Sequence, residues 1–95
     1  MIDYAARLSI ADHVVFRETN GTLCMLFDRD KGVMYELNET ASAVVRSLRD
    51  DARSFSELIQ DLATEYDASP EMIAEDSTAL VTDLEQAGLL RIVTS

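Results

Sequence analysis

Cysteine is almost missing from this chain. The single Cys24 excludes an internal disulfide, and no Cys/His spacing suits zinc. Tryptophan is absent, and there are only one histidine, one proline and three glycines, which excludes collagen-like and low-complexity architectures. No apolar run approaches the roughly 18–20 residues of a membrane span. The first ten residues carry Asp3, Tyr4, Arg7 and Ser9 in place of a continuous apolar signal core. The expectation is a reduced, cytoplasmic protein with no membrane association. Gly-rich phosphate loops, HExxH and GxSxG are also missing, so no catalytic residue, metal or cofactor is expected. A nucleophilic Cys needs a neighbouring base. His13, at the start of a strand, and Cys24, in the middle of another, are read as ordinary structural positions.

Positive charge is the other scarcity. Eight basic residues face eighteen acidic ones, for a net charge of −10. The imbalance is local: residues 1–49 net −1, whereas residues 50–95 hold only Arg53 and Arg91 against eleven acids. Nucleic-acid binders need Lys and Arg to displace counterions from phosphates, so no nucleic acid is expected as a partner. A neutral or basic partner suits this surface better.

Against these absences stands a regular hydrophobic pattern. With 47% hydrophobic and 27% charged residues, the 95-residue chain is read as one folded domain. Its core is small, since a chain of this length buries only about 60–65% of its unfolded surface. The apolar period is two before Asn38 and 3.6 after it. Strands are expected at residues 13–19, 22–28 and 33–37, the first two joined by a two-residue Asn20-Gly21 hairpin. That loop sets Phe16 opposite Met25 and Val14 opposite Phe27. The expected core face is then Val14, Phe16, Leu23, Met25, Phe27, Val33, Tyr35 and Leu37. Val15, Arg17, Cys24, Leu26, Met34 and Glu36 form the other face, half of it apolar. Asn38 caps a first helix, Ser54 to Glu57 is a capping box for a second, and Ser69-Pro70 opens a third that ends at Gly88. Leu89 to Val93 packs on the core, and residues 1–11 form an arm that is either flexible or covers a sheet edge. The fold class is α+β and winged-helix-like: a three-stranded antiparallel sheet followed by three helices.

Two surfaces stand out. The third strand, Val33-Met34-Tyr35-Glu36-Leu37, lacks the Pro and Lys that blunt natural sheet edges, and an open edge can accept an added peptide strand. The third helix holds Glu71, Glu75, Asp76, Asp83 and Glu85 with no Lys or Arg. Asp76 and Asp83, seven residues apart, lie on nearly one side of it, beside the apolar stripe.

The run Leu26-Phe27-Asp28, a turn, then Tyr35-Glu36-Leu37-Asn38-Glu39-Thr40-Ala41 resembles the Y-x-L-N-x-x-A signature of PqqD-like proteins. So do Ser56-Glu57-Leu58 with Leu62 and Tyr66, then Asp76, Leu80 and Leu84, and Gly88-Leu89-Leu90. The resemblance covers about residues 8–92. It departs from the family at Asp50-Asp51-Ala52-Arg53, where many members carry a Gly, and it leaves open which pathway is served: pyrroloquinoline quinone synthesis, lasso peptides or a radical SAM enzyme. The resemblance implies a RiPP recognition element, which binds the leader segment of a ribosomally made precursor peptide and presents it to a modifying enzyme. It implies docking on the third strand (Val33, Met34, Tyr35, Glu36, Leu37) in a groove walled by Asp76, Ala79, Leu80 and Asp83. Tyr35 and Leu37 would shape that groove from the core side.

Other functions compete with this one. A winged-helix transcription regulator has the topology but not the charge, since no helix after Asp50 carries a basic residue. A protein–protein adaptor or homodimer would use the face with Val15, Leu26 and Met34, which suits a monomer or weak homodimer that also meets an enzyme.

Overall fold

The computed structural model describes residues 3–18, 21 and 23–93. The chain order is β1 (Arg7–Ile10), β2 (Val14–Glu18), β3 (Cys24–Asp28), β4 (Val33–Glu36), α1 (Glu39–Ser47), β5 (Arg53–Ser54), α2 (Phe55–Tyr66), α3 (Pro70–Gln86) and β6 (Leu90–Val93). Strands β2, β3 and β4 are the three expected from the alternation, and they form one antiparallel sheet in the order β2-β3-β4. The α+β architecture of an antiparallel sheet with three helices holds. Beside it stands a second sheet, β5-β1-β6, that the apolar pattern does not reveal. Residues 7–10 are therefore not a loose arm. They are the middle strand of that second sheet, pairing Arg7–Ile10 with Leu90–Val93 on one side and Arg53–Ser54 on the other. Among the described residues, no helix is long and apolar enough to cross a membrane.

The helices begin where short-range chemistry dictates. Asn38 accepts the Ala41 N–H at 2.9 Å and caps α1. Ser54 Oγ accepts the Glu57 N–H at 3.1 Å while Glu57 Oε1 accepts the Ser54 N–H at 3.0 Å, a complete capping box. Ser69 caps α3, with Pro70 in its first turn. Gly88 follows α3 at φ +80°, a conformation that favours a residue without a Cβ. The apolar stripes of the three helices meet in one core with Leu8, Leu26, Phe55, Leu58, Val81 and Leu89 at its centre.

One expectation fails by a single residue. Phe16 pairs with Leu26, not Met25, and Leu26 pairs with Tyr35. The two slips cancel in β4, so Val14, Phe16, Tyr35 and Leu37 keep the inward orientation assigned to them while β3 alone is turned over. Cys24, Leu26 and Asp28 are buried, and Met25, Phe27 and Leu23 take the outer side. Leu26 is 0% exposed and cannot belong to a partner surface, whereas Leu23, expected in the core, is 44% exposed. The length of the connection differs to match. Glu18 pairs with Cys24, so five residues separate the strands and not two. An odd-numbered change in loop length reverses the pleat of the next strand. Asn20 of the expected two-residue turn lies outside the described residues.

Ser42 holds the turned-over strand in place. Fully buried on α1, its Oγ accepts the Cys24 N–H at 2.8 Å and donates to the Leu37 carbonyl at 3.4 Å, tying both β3 and the end of β4 to the helix.

Stability measurements check the register and the cap. Leu26→Ala should lower unfolding free energy by about 2–5 kcal/mol through the cavity it leaves, and Leu23→Ala by less than about 0.5 kcal/mol, in urea titrations. The opposite ranking would restore the other register. Ser54→Ala should cost about 1 kcal/mol. The Ser54 N–H, and secondarily its hydroxyl, holds the Glu57 carboxyl below its ordinary value of 4.5. A depressed carboxyl stabilises the fold above that value and loses its contribution as pH falls through the folded-state pKa. The stability advantage of wild type over Glu57→Gln should therefore shrink between neutral pH and pH values below 4.5 in thermal melts.

Candidate functional site

Strand β4 lies at an edge of its sheet, paired with β3 alone. Residues 7–10 belong to the second sheet, so they do not cover the edge. The Leu37 N–H donates to the Cys24 carbonyl at 3.0 Å. By strand alternation, Leu37, Tyr35 and Val33 direct their backbone groups at β3, and Met34 and Glu36 direct theirs at the open side. The residues between Asp28 and β4 are fixed by a turn. Asp28 Oδ1 accepts the N–H groups of Asp30 (3.0 Å) and Lys31 (3.1 Å), and the Asp28 carbonyl accepts that of Gly32 at 2.8 Å. Gly32 sits at φ +68°, where a glycine is the least costly residue.

Helix α3 reaches the two segments that flank this strand. At the start of β4, Lys31 Nζ donates to the Ala87 carbonyl at 3.4 Å. Beyond its end, Thr40 and Ala43 share a cleft of about 130 Å³ with Leu62, Tyr66, Ile73, Asp76 and Ser77. Ile73 and Leu80 of α3, its C-cap Ala87 and Tyr35 of β4 are half-buried and pack on the core. At 100° per residue, Asp76 and Asp83 fall on the same flank as these three, one step further from the core. Both are exposed, and among the described residues no carboxylate of α3 has an ion pair. Partial burial raises the Tyr66 hydroxyl above its ordinary range, with Glu65 and Glu39 adding to the shift.

The expected site residues thus divide. Val33, Met34 and Glu36 are exposed on β4, Tyr35 is half-buried and Leu37 is buried at its end. Asp76, Leu80 and Asp83 share one flank of α3, and exposed Ala79 stands about 100° round from Leu80, on the outer rim. Val15 and Met34 are on the outer face of the sheet, without Leu26. Thr40 and Lys31 were missed. Neither has a signature in the sequence, because each enters through a contact with α3.

His13 lies opposite Arg29, five strand steps from Cys24, or about 17 Å along the sheet. His13 Nε2 is 3.6 Å from Asp28 Oδ2 and its Nδ1 is 3.9 Å from Asp30 Oδ2. Cys24 is buried, with its Sγ 3.3 Å from Arg46 Nη2. The two do not form a nucleophile–base pair. No group of three or more His, Cys, Asp or Glu among the described residues could hold a metal ion.

Comparison with known proteins agrees with the sequence motif. Residues 24–90 match the family model of coenzyme PQQ synthesis protein D (PqqD). No curated protein matches the sequence. Among solved structures, the chain is similar to TbiB1 in complex with the TbiA(beta) leader peptide, with a TM-score of 0.79 and 19% identity over 87% of this chain and 94% of that one. It is also similar to a lasso peptide synthetase B1 complexed with the leader peptide, with a TM-score of 0.73 and 27% identity over 88% of this chain and 96% of that one. The first is a likeness of fold. The family match runs from the first residue of β3 to the first residue of β6 and takes in the whole of β4, α1, α2 and α3: the chain belongs to the PqqD family.

Proposed function

We propose that this protein is a non-catalytic peptide-binding module. It takes the leader segment of a ribosomally synthesised precursor as an added strand on β4 and presents the precursor to a modifying enzyme. The observation that carries this reading is the open edge of β4, together with an exposed α3 flank whose carboxylates have no ion pair among the described residues. The two similar solved structures, each holding a leader peptide, support it.

The proposed mechanism begins at the backbone. Met34 and Glu36 offer N–H and C=O groups to an incoming strand, and main-chain bonds of this kind give affinity without demanding a sequence. Specificity comes from the α3 side. Half-buried Tyr35, Leu80 and Ile73 favour apolar leader side chains, and Asp76 and Asp83 favour Lys or Arg. Delivery raises the local concentration of the core peptide at the enzyme. A lasso-type maturation enzyme suits the similar structures, with a radical SAM enzyme as the other partner class. The proposed setting is the cytoplasm, where a ribosomally made precursor is synthesised.

The test is a titration of isotope-labelled protein with the synthetic N-terminal segment of the neighbouring precursor. NMR shifts should concentrate in residues 33–37 and 76–84. Met34→Pro removes an N–H that faces the open side and leaves pairing with β3 intact, so it should weaken binding at least about tenfold, each tenfold being 1.4 kcal/mol. Asp76→Lys should weaken a basic leader by a similar factor with an unchanged melting temperature. Full affinity in both variants would remove β4 and α3 from the site.

A further inference from the structure

The outer face of the β2-β3-β4 sheet is built of two cross-strand rows. One row is Val15, Phe27 and Met34, entirely apolar, with Met34 46% exposed. The next is Arg17, Met25 and Glu36: a cation on one edge strand, an apolar residue at the centre, an anion on the other edge strand. Neither Arg17 nor Glu36 has an ion pair among the described residues. By contrast Glu18, one residue from Arg17 and on the opposite face, is bound by both Arg46 and Arg49. Within one chain Arg17 and Glu36 are two strand spacings apart, about 10 Å, too far to pair directly.

We propose that this face docks a second copy of the same chain, across a two-fold axis parallel to β3. The geometry of the rows selects this occupant. Such an axis exchanges left and right while keeping each row at its own height along the strand. Arg17 of one copy then faces Glu36 of the other, twice, Met25 meets Met25, Phe27 meets Phe27, and Val15 meets Met34. A row that is positive at one end and negative at the other is its own complement under this rotation, which is the self-complementarity an isologous interface requires. Stacked sheets pack about 10 Å apart, a spacing that Phe and Met side chains fill. Helix α3, the most acidic surface, lies on the other side of the sheet and stays out of the contact.

The association is weak. Three short strands offer a face well below the roughly 1,200–2,000 Å² of standard interfaces, and two copies each of net charge −10 repel at a distance. The proposal is independent of peptide binding, because the leader site uses the edge of β4 and its inner side.

Sedimentation equilibrium from about 10 μM to about 1 mM, a range that brackets weak association, tests it. The apparent mass should rise from 10.6 kDa towards twice that value. Arg17→Glu and Glu36→Arg should each weaken association at least tenfold by placing like charges opposite one another. An equimolar mixture of the two variants should associate as well as wild type, because every cross-interface pair is then opposite in charge. Recovery on mixing also excludes misfolding as the cause of the single-variant losses. Phe27→Glu should abolish association in either background. A wild type that stays at 10.6 kDa throughout overturns the proposal, as does an association that Arg17→Glu leaves unchanged or that mixing fails to rescue. Leader affinity of Arg17→Glu, measured at low concentration, should equal that of wild type whichever way the mass measurement falls.

Discussion

Strand β3 is the only member of its sheet paired on both edges, and its inward side chains Cys24, Leu26 and Asp28 are all buried. Its position is set by contacts at both ends. At one end Ser42 bonds its first N–H; at the other Asp28 folds its carboxylate over the turn that opens β4. A central strand fixed in this way passes its register to both neighbours. It decides which side chains of β2 and β4 reach the core, which reach the outer face and which backbone groups of β4 face the open side. A buried acid is a costly way to hold a turn. Here Oδ1 satisfies two N–H groups, and the ring of His13 lies 3.6 Å from Oδ2.

The helices were legible in the sequence because their signals are local. Asn38, the Ser54–Glu57 box, Ser69-Pro70 and Gly88 mark boundaries within a few residues of the groups they satisfy. The orientation of β3 was not legible. Leu23-Cys24-Met25-Leu26-Phe27 is apolar at every position, so alternation cannot choose a face, and the deciding partner, Ser42, is a polar residue in a helix eighteen positions away. The second sheet was hidden for a related reason. Its strands are four, two and four residues long, and their pairing joins segments from the two ends of the chain. The candidate site was half legible: the unblunted strand Val33 to Leu37 and the acidic helix could each be named, but what links their neighbourhoods, Lys31 bonding to Ala87 and the cleft that Thr40 shares with Ile73 and Asp76, has no mark in the sequence.

The sheet offers three distinct surfaces. The inner face carries the core, the open edge of β4 presents main-chain groups, and the outer face presents an apolar row beside a charged one. These surfaces share a strand but not the same atoms. Side chains of Met34 and Glu36 belong to the outer face while their backbone belongs to the edge, so substitutions that change a side chain and substitutions that change the main chain alter different surfaces.

The second sheet carries a consequence for the order of events during synthesis. Strand β1 leaves the ribosome before the other described elements, yet its longest partner is residues 90–93. The β2-β3-β4 sheet and α1 can assemble from neighbouring segments as they emerge, whereas residues 7–10 have only the short β5 to pair with until the last strand is out. Pairing of residues 7–10 with residues 90–93 therefore has to wait until every element between them has been made.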